Sequence, residues 1–115
     1  MFSVTVAAGE TFTAGQSKIF DLVDVDFFNS GKPLHGAGTL HADVTSGSVK
    51  IELVARNTSA LSFSTVEGLA PIVATSGTGA KMYTFSPVAA ADLALKITDV
   101  SGAGSVVSSV NVAML

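Results

Sequence analysis

TLHADVTSGSVKIELVAR, residues 39–56, is the stretch that decides the fold class. Apolar and polar side chains alternate in both halves, with Leu40, Ala42 and Val44 before the turn residues 45–47 and a second apolar set after them. A period of two places alternate side chains on opposite faces of a β-strand. The stretch therefore predicts two strands, interpreted as a hairpin with one face in the core and one in water.

The same alternation recurs on both sides of this stretch. Toward the N-terminus it predicts a strand that begins at Phe2 and a second strand over residues 18–25. Toward the C-terminus it predicts shorter strands over 61–66, 72–75 and 82–86. Glycine and proline residues between these runs supply the turns.

The C-terminal part of the chain adds one more pair of strands and one candidate helical turn. Residues 93–98 and 106–115 flank the glycine-rich turn 101–104 and are interpreted as a last hairpin. Residues 87–92 place alanines behind a proline, which allows a single helical turn. About eight or nine short strands without a long helix predict an all-β, antiparallel β-sandwich of the jelly-roll type. A chain of 115 residues has room for one core, so residues 1–115 are predicted to form a single domain.

Composition and charge argue against several classes of function. The chain contains no cysteine, which excludes disulfide bonds, thiolate nucleophiles and cysteine-based zinc sites. The net charge is −3 and the lysines are scattered singly, so no nucleic-acid partner is expected. No membrane partner is expected either, because glycines and serines break the longest uncharged stretch, residues 100–115. The N-terminus lacks the pattern of a secretory leader, so we expect synthesis in the cytoplasm.

The low charge of the chain points to an interaction surface. Charged residues make up 13% of the sequence and hydrophobic residues 48%, and this charged fraction is well below that of typical soluble domains. Much of the surface must then be apolar or small, and such surface usually marks an interface. Adjacent Phe27 and Phe28 cannot both point inward from one strand. The predicted interface anchors are therefore Phe2, Phe27, Phe28 and Leu34.

Candidate catalytic and metal-binding residues are few. The aspartates within residues 21–26 offer oxygens to calcium, but no glycine-pivoted loop or bidentate glutamate completes a site. His35, His41 and Asp43 leave a small metal-dependent enzyme open as a minor alternative. The Gly-x-Gly pieces lack the further glycine and the helix that nucleotide binding requires. We therefore expect no catalytic residues, no cofactor and no metal.

The order of features along the chain resembles that of jelly-roll decoration proteins, also called cement proteins, which coat the capsids of tailed bacteriophages. These features are residues 20–22 before 31–34, the strand 47–53, and the run 93–99 before a glycine-rich turn and residues 106–115. The resemblance implies a structural virion protein, made in the host cytoplasm, that sits as a homotrimer on the capsid exterior. It further implies that the protein binds the major capsid protein and stabilises contacts between its subunits.

Two other binding functions remain open. A receptor-binding module of a fibre or tail tip would share this composition. A carbohydrate-binding module would also suit a β-sandwich, since sugars stack on exposed aromatic rings. However, the chain has no tryptophan, and its single tyrosine is Tyr83.

Overall fold

The computed structural model describes residues 2–21, 38–58, 60–66, 71–77, 79–85 and 92–114. These residues form nine β-strands and contain no helix, and so none that could cross a membrane. The strands are β1 (Phe2–Phe12), β2 (Ser17–Asp21), β3 (Gly38–Ser46), β4 (Ser48–Arg56), β5 (Ser64–Thr65), β6 (Ile72–Thr75), β7 (Lys81–Phe85), β8 (Asp92–Asp99) and β9 (Ser105–Met114). The predicted all-β fold and the predicted number of strands are confirmed.

The strands form two antiparallel sheets that pack face to face as a sandwich. The first sheet has the order β1-β9-β3-β7. The second sheet has the order β2-β8-β4-β5, and β6 pairs with β4 on the same edge as β5. Strands that follow each other in the sequence fall in opposite sheets at several connections, which is consistent with a jelly roll.

The core lies between the sheets and is built from the apolar half of each alternating pattern. The positions predicted to face inward on β3 and at the start of β4 are buried. Phe12, at the end of β1, is the largest of the fully buried side chains that the structure describes. The buried cluster comprises Ala7, Phe12, Leu40, Ala42, Val44, Val49, Ile51, Ala74, Leu93, Leu95, Ile97, Val107, Val110 and Val112. Burial of such apolar side chains is the main stabilising contribution in a chain without disulfides.

Both hairpins predicted from the sequence are wrong. β3 pairs with β7 and β9, whereas β4 pairs with β5, β6 and β8. The turn at Gly47 therefore crosses from one sheet to the other, as a β-arch, and β8 and β9 are joined in the same way. Both strands of an arch direct one apolar face into the same core. Alternation of side chains is thus the same in an arch as in a hairpin, and it does not reveal the pairing partner.

The shorter predicted strands agree with the structure to different extents. The strand over 72–75 is confirmed as β6, and that over 82–86 corresponds to β7, one residue earlier. The strand over 61–66 is reduced to the two residues of β5. The described part of the second strand ends at Asp21, and residues 22–25 lie outside the described ranges. Residues 87–91 of the candidate helical turn 87–92 also lie outside the described ranges, and Asp92 begins β8.

Candidate interaction surface

The predicted interface anchors lie at or beyond the limits of the described structure. Phe2 begins β1, where its Cα is paired with that of Met114 on β9. Phe27, Phe28 and Leu34 lie outside the described residues. The assignment of these four residues to an interface therefore stays a prediction.

The residues of the metal alternative are only partly described. His41 is exposed on β3 and Asp43 is half-buried two residues along the same face, while His35 lies outside the described residues. Within the described ranges, no group of three or more histidine, cysteine, aspartate or glutamate side chains could hold a metal ion. The described residues therefore supply no donor set from which a metal centre could be argued.

The outer face of the first sheet is mostly polar and almost without charge. Strand register aligns its residues in rows, and one such row runs from Thr5 through Asn111 and His41 to Met82. Apart from His41, Asp43 is the one titratable residue among the described outward-facing positions of this sheet. We call this surface the low-charge face; its members are Thr5, Ala8, Thr11, Thr39, His41, Asp43, Ser46, Met82, Thr84, Val106, Ser109, Asn111 and Ala113.

Neighbouring hydroxyl and amide groups on the first sheet are linked by hydrogen bonds. The Thr5 hydroxyl donates to Asn111 Oδ1 at 2.6 Å. The Ser108 hydroxyl donates to Asp43 Oδ2 at 3.4 Å and accepts from Thr45 Oγ1 at 3.2 Å. Each hydroxyl and amide group can make more than one hydrogen bond. Donors and acceptors therefore remain available for a partner after these contacts are made.

The outer face of the second sheet has a different chemistry. It presents both signs of charge, including a salt bridge between Lys50 Nζ and Glu52 Oε1 at 3.3 Å, with Lys96 paired across from Glu52. We call it the charged face; its partly or fully exposed outward residues are Ser17, Ile19, Asp21, Lys50, Glu52, Arg56, Thr65, Val73, Lys96 and Thr98. Val54 and Ala94 occupy outward positions of the same strands but are buried, with 2% and 0% of their surface exposed. The alternating pattern of β4 had predicted the outward positions of Lys50, Glu52 and Arg56, but not the burial of Val54 between them.

Exposed large apolar side chains do not gather into one patch in the described structure. Ile19 and Val73 lie near opposite edges of the charged face, and Met82 lies at the edge of the low-charge face with 63% of its surface exposed. Leu61 and Val100 lie in connections between strands. The candidate interaction surface is therefore distinguished by its lack of charge and not by a concentration of hydrophobic groups.

One end of the sandwich is held by a buried carboxylate. Asp99 is 3% exposed at the end of β8. Three arches meet there, those that connect β1 to β2, β3 to β4 and β8 to β9. Asp99 Oδ2 accepts hydrogen bonds from the backbone N–H groups of Gly15 at 2.9 Å and Gly102 at 3.2 Å. Its Oδ1 accepts from the Ser101 hydroxyl at 2.6 Å and from the Ser105 hydroxyl. We call these five residues the Asp99 cluster.

These donors also determine the charge state of Asp99. The hydroxyl of Ser101, followed by that of Ser105 and the N–H of Gly15, holds the pKa of the Asp99 carboxyl far below its usual value. Hydrogen bonds to the ionised form outweigh the opposing effect of desolvation. Asp99 is therefore ionised at neutral pH, and its carboxylate oxygens accept their hydrogen bonds from within the chain.

The arch at Gly47 packs closely against the arch that precedes β9. Gly47 has a φ of 80°, and a Cβ atom there would lie 2.3 Å from Ser105 Oγ and 2.6 Å from the carbonyl oxygen of Gly104. Ser105 Oγ in turn accepts a hydrogen bond from the N–H of Ser48 at 3.1 Å. The Asp99 cluster therefore fixes the position of the connections between the two sheets at this end of the sandwich.

The sequence predictions missed the Asp99 cluster, although a local signal was present. An aspartate that ends a strand and precedes Ser101-Gly102 is typical of a side chain that accepts hydrogen bonds from the following turn. Gly15, at 2.9 Å from Asp99 Oδ2, is 84 positions away in the sequence. That contact follows from the topology alone.

The chain was also compared with known proteins. No family model, curated protein or solved structure matches it.

Proposed function

We propose that the chain is a structural virion protein, a decoration or cement protein that binds the outer surface of a phage capsid and stabilises contacts between major capsid subunits. The low-charge face is the observation that carries this proposal. It is a partly to fully exposed sheet surface of the β-sandwich, and its small polar side chains suit contact with another protein. The charge-poor composition and the resemblance in the order of sequence features support the same reading.

Binding of this kind depends on several weak contacts made together. One mostly polar face provides modest affinity, because small hydroxyl-bearing side chains bury little apolar area. In the homotrimer that the resemblance implies, three copies engage neighbouring capsid subunits at once. The effective concentration of the second and third contacts then raises avidity by about a hundredfold or more.

Antibody labelling of intact particles tests the proposed location. An antibody raised against the purified protein is applied to virions from the source of the gene and imaged by electron microscopy. We expect label distributed over the head. Label confined to the tail tip or fibres supports the receptor-binding alternative instead, and particles without label contradict both virion functions.

The mass of the purified protein in solution tests the oligomer. Light scattering gives this mass directly, and we expect three times the mass of one chain. A monomer contradicts the trimeric mechanism and returns the carbohydrate-binding module to consideration. That alternative predicts a rise in melting temperature when glycans are added, since a ligand that binds only the folded state stabilises it.

A further inference from the structure

We infer that the low-charge face is the surface that docks on the capsid, and that the protein surface it covers is itself uncharged. This inference rests on the proposed function and adds to it the docking face and the chemistry of the partner. It predicts a contact whose strength does not depend on salt, with the charged face left in solvent.

Exposure shows that the low-charge face is accessible. Thr5, His41, Met82 and Thr84 are all exposed, and they come from three of the four strands of the first sheet. The fourth strand, β9, contributes half-buried residues such as Asn111, as expected for a strand with neighbours on both sides. The low-charge face is therefore open to a partner along the whole first sheet.

Charge decides which partner surfaces this face can cover. A charged group loses its hydration when it is buried at an interface, at a cost of several kcal/mol unless a counter-charge or several hydrogen-bond donors replace the water. The low-charge face offers no lysine or arginine among its described residues, so it provides no cation to pair with an acidic group of a partner. Its single carboxylate, Asp43, is half-buried and accepts a hydrogen bond from Ser108. Hydroxyl or amide groups of a partner can donate the remaining hydrogen bonds to Asp43, as uncharged donors do for Asp99. A partner with several charged groups at the centre of its surface would bury them unpaired, so a surface of uncharged polar groups is the one that fits.

Hydrogen bonding supports the same kind of partner. The hydroxyl groups of Thr39 and Thr84, the amide of Asn111 and the imidazole of His41 can each donate and accept. Such groups match the backbone, hydroxyl and amide groups of an uncharged surface without requiring one particular arrangement. The lysines and the glutamate of the charged face, in contrast, act only as donors or only as acceptors.

The size of the low-charge face fits one contact of a multivalent assembly. Four strands at the usual spacing and about nine residues in length give a face about 19 Å wide and about 30 Å long. Covering it buries roughly 1,100 Å² over both partners, close to the minimum of about 1,000 Å² for a specific interface. A single contact of this size is weak, and several copies bound together make it stable.

Co-sedimentation with capsids tests the inference. The probe is the capsid of the source phage, prepared without this protein and mixed with purified chain in about 0.05 M and about 0.5 M NaCl, where screening lengths differ by roughly threefold. We expect equal binding of the wild-type protein at both salt concentrations. His41→Lys and Thr84→Lys place a cation on the low-charge face and should each weaken binding at least tenfold.

Two control variants separate charge from other effects of substitution. Thr65→Lys makes the same change as Thr84→Lys, at an exposed position of an edge strand, but on the charged face. His41→Gln alters the low-charge face without adding charge. Both should bind like the wild type, and all four variants should melt within a few degrees of it, because the positions are exposed.

The outcomes distinguish failure of the inference from failure of the proposed function. Wild-type protein that does not sediment with capsids at either salt concentration overturns the proposed function and this inference with it. Wild-type binding that falls tenfold at high salt overturns the inference alone. Binding that survives both His41→Lys and Thr84→Lys, or that is lost equally in Thr65→Lys, also overturns the inference alone.

Discussion

The Asp99 cluster and the low-charge face use the same kinds of polar group in opposite ways. In the cluster, hydroxyl and N–H groups converge on one buried carboxylate. On the low-charge face, hydroxyl, amide and imidazole groups lie side by side at the protein surface, and only some of them bond to each other. The comparison indicates that the polar groups at the arches contribute to stability, whereas those on the low-charge face provide the capacity to bind a partner.

A substitution at the centre of the arches should have the largest effect on stability. Gly47→Ala adds a Cβ atom that collides with Ser105 Oγ and the Gly104 carbonyl, at a positive φ that L-residues rarely adopt. We expect the free energy of unfolding to fall by about 3 kcal/mol or more. Urea denaturation measures this loss.

A second glycine provides the matched control. Gly77 has a φ of 82°, but nothing lies within 4 Å of the Cβ position. Gly77→Ala should therefore cost only the backbone preference, about 1 kcal/mol. Equal losses in the two variants would show that close packing at Gly47 contributes nothing.

Removal of one hydroxyl from the Asp99 cluster should have the next largest effect. Ser105→Ala deletes a donor to Asp99 and the acceptor for the N–H of Ser48, in a side chain that is 2% exposed. Buried groups that lose a partner cost about 1–3 kcal/mol. The loss is measured by urea denaturation, and wild-type stability in this variant would contradict the structural role of the cluster.

The dependence of stability on pH should show the contribution of the ionised Asp99 carboxylate. The pKa of Asp99 is lower in the folded protein than the value of about 3.9 for an unfolded chain, so the unfolded state takes up the proton first as pH falls. The stabilisation from Asp99 is thus fully present above about pH 5 and is lost progressively as the pH drops through 4. We expect Asp99→Asn to be less stable than the wild type at pH 7, and its melting temperature to fall less between pH 5 and pH 3. If the melting temperatures of the wild type and Asp99→Asn fall by the same amount between pH 5 and pH 3, Asp99 is not the source of the pH-dependent stabilisation.

The comparison also explains how much of the molecule could be predicted from its sequence. The alternation predicted the buried residues of β3 and of the start of β4, because the period of two depends only on the local chain. It did not predict that Val54, on the opposite face of β4, is also buried. The same pattern gave the wrong pairing for β3 with β4 and for β8 with β9, since sheet partners are chosen by contacts far apart in the sequence. In the Asp99 cluster, only the contact with Gly15 was out of reach for the same reason, because Ser101, Gly102 and Ser105 lie within six residues of Asp99. The low-charge face was anticipated only as a charge-poor composition, and its position required the register of four strands.

The smallest effect on stability is expected on the low-charge face, in a variant that parallels Ser105→Ala. Thr5→Val also removes one hydroxyl that donates one short hydrogen bond, in this case to Asn111 Oδ1 at 2.6 Å. Thr5 is exposed, so water takes over the role of the lost partner for Asn111, and valine keeps the β-branched shape that suits a strand. We expect the free energy of unfolding to change by no more than about 0.5 kcal/mol, measured by urea denaturation beside Ser105→Ala. A loss as large as that of Ser105→Ala would mean that the low-charge face is part of the scaffold, and that its polar groups are not free for a partner.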